Sequence, residues 1–392
     1  MFVFCDPFYH LYRMTDQASA GYDEEKAKRY NRIARRISIA EFILGTGLLL
    51  VLLFGGISHR VRDLVLIYTS SPWFLILFYL LVIGIAFEII SFPLSVYGGF
   101  LLERRFELSD QRFLRWLWDH VKGLLLSFAL TLILVEALYF LLREFPISWW
   151  FVAAVVFTLF FIILAKIAPI LILPIFYKFQ PLEDEELKKR LLDLADKTRT
   201  KVLGVFKWGL KEKTKKANAA LIGSGKTRRI ILSDTLVENF SSDEIEIVLA
   251  HELAHHNLKH IRRGMIAQTL ISFVGWYLAA GVLNHTWRYF GFAGIDDIAG
   301  LPLIALVFAI LSLLLLPWMN LYSRTQERKA DEFAVRITQK PGAFASMIEK
   351  LARQNLSEYR PNRIIHFIFH SHPSPAERIK FAESFKKESS LA

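Results

Sequence analysis

Six stretches of the chain are almost wholly apolar, at about 37–58, 72–97, 124–142, 149–177, 263–284 and 301–321. A helix rising 1.5 Å per residue needs about 20 such residues to cross roughly 30 Å of hydrocarbon. The pattern therefore predicts a mainly α, polytopic membrane protein with about six transmembrane helices. Between the fourth and fifth stretches the periodicity changes. "EDEELKKRLLDLADKT" carries leucines at helical spacing, and "VLGVFKW", "ANAALIG" and "RRIILSD" read as short strands, the last two joined by a turn at "SGKT". Ser241 and Glu244 form a capping-box pair. They open a helix expected to run through "HELAHHNLKH" and straight into the fifth span.

These changes of pattern divide the chain into five parts. Residues 1–36 are a charged leader whose second half enters the first span as helix, and 37–178 hold four spans with one basic, aromatic loop at 98–123. Residues 179–262 hold the strands and the histidine helix, 263–322 hold spans five and six, and 323–392 form a C-terminal polar segment. In the loop, Trp116 and Trp118 are placed to anchor at the lipid headgroups. Glu41, Glu88, Glu136 and Lys166 fall inside spans, where an ionisable group is costly unless it is paired or faces water. Internal pairing and a water-filled chamber are both open readings. Pro169 and Pro174 break the end of span four.

Charge refines the picture. The net charge is +11, yet the loops 59–71, 143–148 and 285–300 hold only Arg60, Arg62, Arg143 and Arg288. Nearly all other Lys and Arg lie in the alternate segments, which by the positive-inside rule are cytoplasmic together with both termini. The basicity thus reports topology and does not call for nucleic acid. The leader carries acidic residues and seven Lys/Arg, unlike a cleaved secretory signal, so the N-terminus is expected to be retained. Cys5 is the one cysteine, which excludes an intramolecular disulfide and a cysteine-based zinc site. "GSGKT" lacks the first glycine of a phosphate-binding loop, Ala220 standing there, and a strand pattern follows it; no nucleotide site is expected.

The chemistry lies in H-E-x-x-H. On a helix His251 and His255 fall one above the other, and Glu252 lies about 60° from His255. That suits a metal held by the two histidines, with Glu252 as the base that takes a proton from water. On an uninterrupted helix His256 and His260 point away, by about 140° and 180° from His251. They are expected to be helix-surface or interface residues. A third ligand at the spacing of a further histidine would fall on Ile261, so a carboxylate from another helix is needed. "SRTQERKADEFAV" offers Glu327 and Asp331 on one face. Two spans separate His255 from Glu327, so both lie on the same side of the membrane. His251, His255 and Glu327 leave a coordination position open, as a catalytic zinc requires, and one Zn2+ per chain is expected. Asp331 is placed to hold the outer nitrogen of a ligand histidine. In "HSHPSPAERI", His372 and Arg378 are candidates for stabilising an oxyanion or binding substrate.

"HELAHH", "SRTQERKADEFA" and "HPSPAERI" together resemble the signature blocks of the integral-membrane zinc metallopeptidases that include CAAX prenyl protease type 1. "NAALIG", "RRIILSDTL" and "FPLSVYGGFLLERRFELSDQ" extend the likeness over about 25–385. The resemblance implies a small α+β, zincin-like (gluzincin) catalytic element on the cytoplasmic side. It also implies a chamber within the membrane, zinc on His251, His255 and Glu327, and Glu252 as the catalytic glutamate. Asn218, Ala219 and Ala220 would hold substrate in extended form, with His372 near the scissile bond. The implied partners are the lipid bilayer and a peptide or protein substrate, with or without a prenyl group, cut near its C-terminus. The membrane would be a bacterial inner membrane or the endoplasmic reticulum. Two departures stand out: relatives commonly have a seventh, first span where this chain begins "MFVFCDPFYHLYRM", and Glu107 stands where glycine is usual. The alternatives are a same-family quality-control protease for membrane proteins, or a transporter or channel with a regulatory zinc site, for which Glu252 has no use.

Overall fold

The computed structural model describes residues 23–223 and 225–391; Cys5 and the whole of the aromatic stretch "MFVFCDPFYHLYRM" lie outside them. Among the described residues, six helices are long and apolar enough to span a membrane. They are α1 (Glu24–Phe54), α2 (Pro72–Arg105), α3 (Phe113–Glu144), α4 (Trp149–Phe176), α5 (His260–Thr286) and a last helix beginning near Ile298. The polar half of the leader and the first span form one helix, as the alternating charges predict. The 98–123 segment differs from expectation. Helix continues through a π-helical turn at Tyr97–Leu101 to Arg105, and resumes at Phe113, so only a short connection remains.

The bundle core is aromatic, with Tyr79, Tyr139, Trp149 and Trp276 all buried. Gly275 permits the close approach of spans five and six, since a Cβ there would stand 2.7 Å from Phe308. Outward-facing Ile43, Ile89, Leu125, Leu159 and Leu270 are exposed in the isolated chain, the surface a bilayer covers. Glu88 is paired with His120 at 2.8 Å, while Glu41 and Lys166 are exposed. Span four is broken where its prolines stand, with regular helix ending at Leu171. Trp118 is exposed, but Trp116 packs among Phe92, Phe100, Phe113 and His120.

The connections fall at two ends of the bundle. At one, Ser58 donates to the Ala299 carbonyl at 2.7 Å and Arg62 pairs with Asp297. At the other stands a small α/β assembly with strands β1 (Phe179–Pro181), β2 (Val205–Trp208), β3 (Ala219–Ile222) and β4 (Arg229–Ser233), in the order β1-β2-β4-β3. Three of these are the strands read from the sequence, and β3–β4 is the expected antiparallel hairpin. The missed strand, β1, is three residues long and ends in proline. An amphipathic helix, α6 (Glu185–Lys197), buries Leu187, Leu191 and Leu194 against this sheet and the histidine helix α7 (Ser242–Asn257). At the start of α7, Ser241 and Glu244 form the predicted capping box.

The last span belongs to α8 (Leu301–Thr338), a single helix of 38 residues that carries Glu327 and Asp331 into the same assembly. It is followed by α9 (Pro341–Gln354), which packs on α7, and α10 (Pro375–Leu391), which packs on α9, and together they close the core around Leu249, Leu253, Phe344 and Met347. Lys26 and Glu107 join α1 to the end of α2 by an ion pair of 2.8 Å. Glu107 has a φ of 61°, the left-handed region that favours glycine, which accounts for the glycine usual at that position.

Candidate metal centre

Two helices build the centre. α7 presents His251 and His255 one turn apart, and α8 crosses it so that Glu327 and Asp331, also one turn apart, face them. His255 Nε2 lies 3.1 Å from His251 Nε2, and the Glu327 oxygens lie 3.2 Å from His251 Nε2 and 3.4 Å from His255 Nε2. Two ring nitrogens and the two oxygens of one carboxylate thus converge, Oε2 on His251 and Oε1 on His255, and one donor atom from each of the three residues lies within 4.8 Å of the others. A tetrahedral ion with ligands at about 2.0–2.1 Å requires donor separations of about 3.3–3.4 Å. The donor set, two imidazoles and a carboxylate, fits a zinc ion in both chemistry and spacing.

The outer nitrogens are held as well. His251 Nδ1 meets Asp331 Oδ1 at 2.9 Å, the role expected for Asp331. Arg378 donates to Asp331 through Nε at 2.8 Å and Nη2 at 2.5 Å. Through this contact Arg378 supports the ligand set from behind. His372 Nδ1 sits 2.8 Å from Glu327 Oε2, an attachment to the ligand carboxylate that motif reading did not foresee, while most of its ring remains exposed. Arg324, on the same helix, donates to the carbonyls of His366, Phe367 and His370 and so fixes the loop that carries His372.

The expectation for His260 is overturned. α7 ends at Asn257, Lys259 takes a left-handed conformation with φ 58°, and α5 starts afresh at His260. The 180° displacement assumed one uninterrupted helix. The break swings His260 back, and its Nδ1 lies 3.1 Å from His255 Nδ1, with the residue buried. The segment Asn257–Lys259 contains neither glycine nor proline to announce the break, so its sequence gives little warning. His256 faces Arg228, away from the donor set.

Electrostatics distinguish the histidines. Burial works against charge on His251, but hydrogen bonds to Asp331 and Glu327 outweigh it and raise its pKa to about 10. Burial and the neighbouring charge of His251 lower His255 to about 4. The carboxylates are arranged to hold a positive charge among these rings. Burial pushes the Glu252 carboxyl above its usual value, with the charge of His251 opposing.

β3 lies at the sheet edge. Ser233 donates to the Asn218 carbonyl at 2.9 Å, so by antiparallel alternation Ala220 and Ile222 turn their backbone groups to β4. Ala219 and Leu221 then turn theirs outward, and the Ala219 N–H is taken by the Asn218 side chain at 2.8 Å. The groups open to an added strand are the Ala219 carbonyl and the N–H and carbonyl of Leu221; Leu221 was absent from the expected set, and the backbone of Ala220 is engaged with β4.

The family model of peptidase family M48 matches residues 181–386, more than half of the chain. The chain belongs to peptidase family M48. It is a metalloprotease, a multi-pass membrane hydrolase. A second family model, described as the CAAX prenyl protease N-terminal region with five membrane helices, matches residues 17–178 of this M48 peptidase. An uncharacterized metalloprotease of Bacillus subtilis, YhfN, is 29% identical over 91% of this chain and 84% of its own length. CAAX prenyl protease 1 of Saccharomyces cerevisiae is 32% identical over 74% of this chain and 68% of its own. The crystal structure of S. mikatae Ste24p superimposes with a TM-score of 0.83 at 26% identity, covering 92% of this chain and 88% of that one. The M48 assignment implies a metal, and His251, His255 and Glu327 are where the donors converge.

Proposed function

We propose that this M48 peptidase is a zinc endopeptidase acting on membrane-associated peptides near their C-terminus, as in CAAX processing, with one ion held by His251, His255 and Glu327. The observation that carries the reading is the convergence of His251 Nε2, His255 Nε2 and the Glu327 carboxylate at contacts of 3.1–3.4 Å, with Glu252 on the same helix face. When bound, the ion supplies Lewis-acid polarisation of the scissile carbonyl and acidifies a water. Glu252 takes a proton from the attacking water and returns it to the leaving amine, and its burial suits it to both steps. Asp331 and Arg378 keep His251 oriented, and the exposed ring of His372 stands at the rim where an oxyanion would form. Substrate lies extended along β3, sharing main-chain hydrogen bonds with Ala219 and Leu221 beside the Asn218 side chain. The positive-inside distribution supports a cytoplasmic side for this assembly and both termini.

The relative named CAAX prenyl protease 1 supports a prenylated substrate. The Bacillus relative, matched over more of the chain and named only as a metalloprotease, favours a second reading, general proteolysis of membrane proteins. Cleavage of a farnesylated peptide and its unmodified twin by the purified, zinc-loaded protein separates the two. Prenyl-directed processing predicts a kcat/KM at least about tenfold higher for the farnesylated peptide, and equal values would assign the enzyme to the general role.

A further inference from the structure

A short helix, Arg363–Phe369, precedes the loop that carries His372, and apart from Arg363 and His366 its residues are apolar. None of them is buried. Ile364 is 70% exposed, and Phe367, one turn on and on the same face, is exposed as well. An apolar face of this kind calls for a cover.

Its place on α8 says what the cover is. Phe367 packs edge-on against Trp318, with ring centroids 6.1 Å apart, and the Arg324 guanidinium stands 6.0 Å from the Phe367 ring. Trp318 lies in the last turn of the apolar part of α8, and Ile310, Leu314, Trp318 and Leu321 are exposed there at spacings of three and four. The polar residues of this region turn another way: Gln268 and Ser272 of α5 and Ser312 of α8 line a cavity together with Phe308 and Leu311. The exposed, wholly apolar stripe of α8 is therefore its lipid face. The short helix continues that face at the level where an interfacial tryptophan marks the end of the hydrocarbon. Arg360 and Arg363 are exposed at its start, where they suit phosphate headgroups.

The same helix is joined to the metal centre. Asn320 Nδ2 donates to the Ile368 carbonyl at 2.6 Å and Arg324 Nη1 to the His366 carbonyl at 3.0 Å. His366 Nε2 lies 3.0 Å from the His372 carbonyl, and His372 Nδ1 lies 2.8 Å from Glu327 Oε2. Where the helix sits thus sets where His372 sits.

We propose that Arg363–Phe369 is an interfacial helix, seated in the bilayer leaflet nearest the metal centre with Ile364 and Phe367 among the acyl chains, and that this seating positions His372. The partner of the exposed face is lipid, reached about 5–10 Å into the boundary between headgroups and acyl chains. Ile364 is a positioning residue, and that part of the proposal rests on the peptidase reading above.

The test uses the full-length, zinc-loaded protein in vesicles of phosphatidylcholine and phosphatidylglycerol. Cys5, the one cysteine, is replaced in a Cys5→Ser background, and a nitroxide is attached at Ile364→Cys or, for comparison, at Glu186→Cys on an exposed site of α6. Collisions with oxygen, which concentrates in hydrocarbon, should dominate at 364, and collisions with a water-soluble nickel chelate should dominate at 186. The same ranking at both sites would overturn the lipid seating, as would a nitroxide at 364 shielded from both colliders by another segment or a second copy. Positioning is read from cleavage of a water-soluble, unprenylated peptide, for which partition of substrate into the bilayer plays no part. Ile364→Asp should keep its zinc and its KM and lose about tenfold in kcat, less than the hundredfold or so that a misplacement of about 1 Å can cost. Ile364→Leu should keep the wild-type kcat. An unchanged kcat in Ile364→Asp, or an equal loss in both variants, would overturn the positioning of His372. No cleavage even by the wild type would overturn the peptidase reading and the positioning with it, while the nitroxide depths decide the lipid seating independently of activity and of whether Ile364→Asp folds.

Discussion

His260 does for His255 what Asp331 does for His251: each lies against the ring nitrogen that the donor set leaves over. With Nε2 of His255 turned to the metal position, its Nδ1 carries the proton and His260 Nδ1 accepts it, which fixes tautomer and ring plane. We expect His260→Leu to weaken zinc binding about tenfold or more, measured by competition with a chromophoric chelator, and to alter the visible spectrum of the Co2+-substituted protein. His260→Gln, which keeps an acceptor, should restore part of both, and unchanged affinity in the leucine variant would remove His260 from this role. His251, Glu252 and His255 were legible from spacing alone, because side chains one helical turn apart need no tertiary information. Glu327 and Asp331 became legible once two intervening spans returned the chain to the same side. The contacts of His260 and His372 were not, since they depend on a left-handed residue and on a loop held by Arg324, neither of which leaves a pattern in hydropathy.

At the scale of elements, α7 is clamped to α6 and α9 by charge. Arg190 and Lys340 converge on Asp243 and Glu246, and Lys350 reaches Glu244. Burial alone would raise the Glu246 carboxyl, but Lys340 and Arg190 outweigh it and hold it below the usual range. The hydrogen bonds of Lys340 and Arg190 likewise lower Asp243. A carboxyl depressed in the folded state binds its proton more weakly there than in the unfolded chain. Its contribution is therefore complete above the unfolded value near 4.5, and is lost as pH falls through the lower folded value. Thermal unfolding should accordingly shift down progressively below about pH 4.5, and less so in a Glu246→Gln variant, whose starting Tm is lower. A pH dependence unchanged in that variant would contradict the clamp. The spans and three of the four strands were legible because each repeats a pattern over its length. β1 was too short to carry one, and within the π-helical turn that extends α2 Gly99 lies against Trp116, a tertiary contact with no hydropathy pattern.

For the whole molecule, an even number of spans places the N-terminal half of α1, the α/β assembly and α10 at one end of the bundle. The ion pairs Lys26–Glu107 and Lys216–Glu103 and the contact of Asn31 with the Leu356 carbonyl bind these parts together there. The charge asymmetry predicts that reporters fused to either terminus read as cytoplasmic, and one at the 287–296 connection reads as exterior. Opposite readings from the two termini would contradict the six-span topology. The central claim is that the His251–His255–Glu327 set holds a zinc ion and that Glu252 performs the proton transfers. Metal content and peptide cleavage measured on the same samples test it most directly. The wild type should carry about one zinc per chain, lose cleavage on chelation and regain it with zinc. Glu252→Gln should keep the metal and lose at least about a hundredfold in kcat, the usual range for a removed general base. Full cleavage by the chelated protein, or wild-type kcat in the metal-loaded Glu252→Gln variant, would contradict the account.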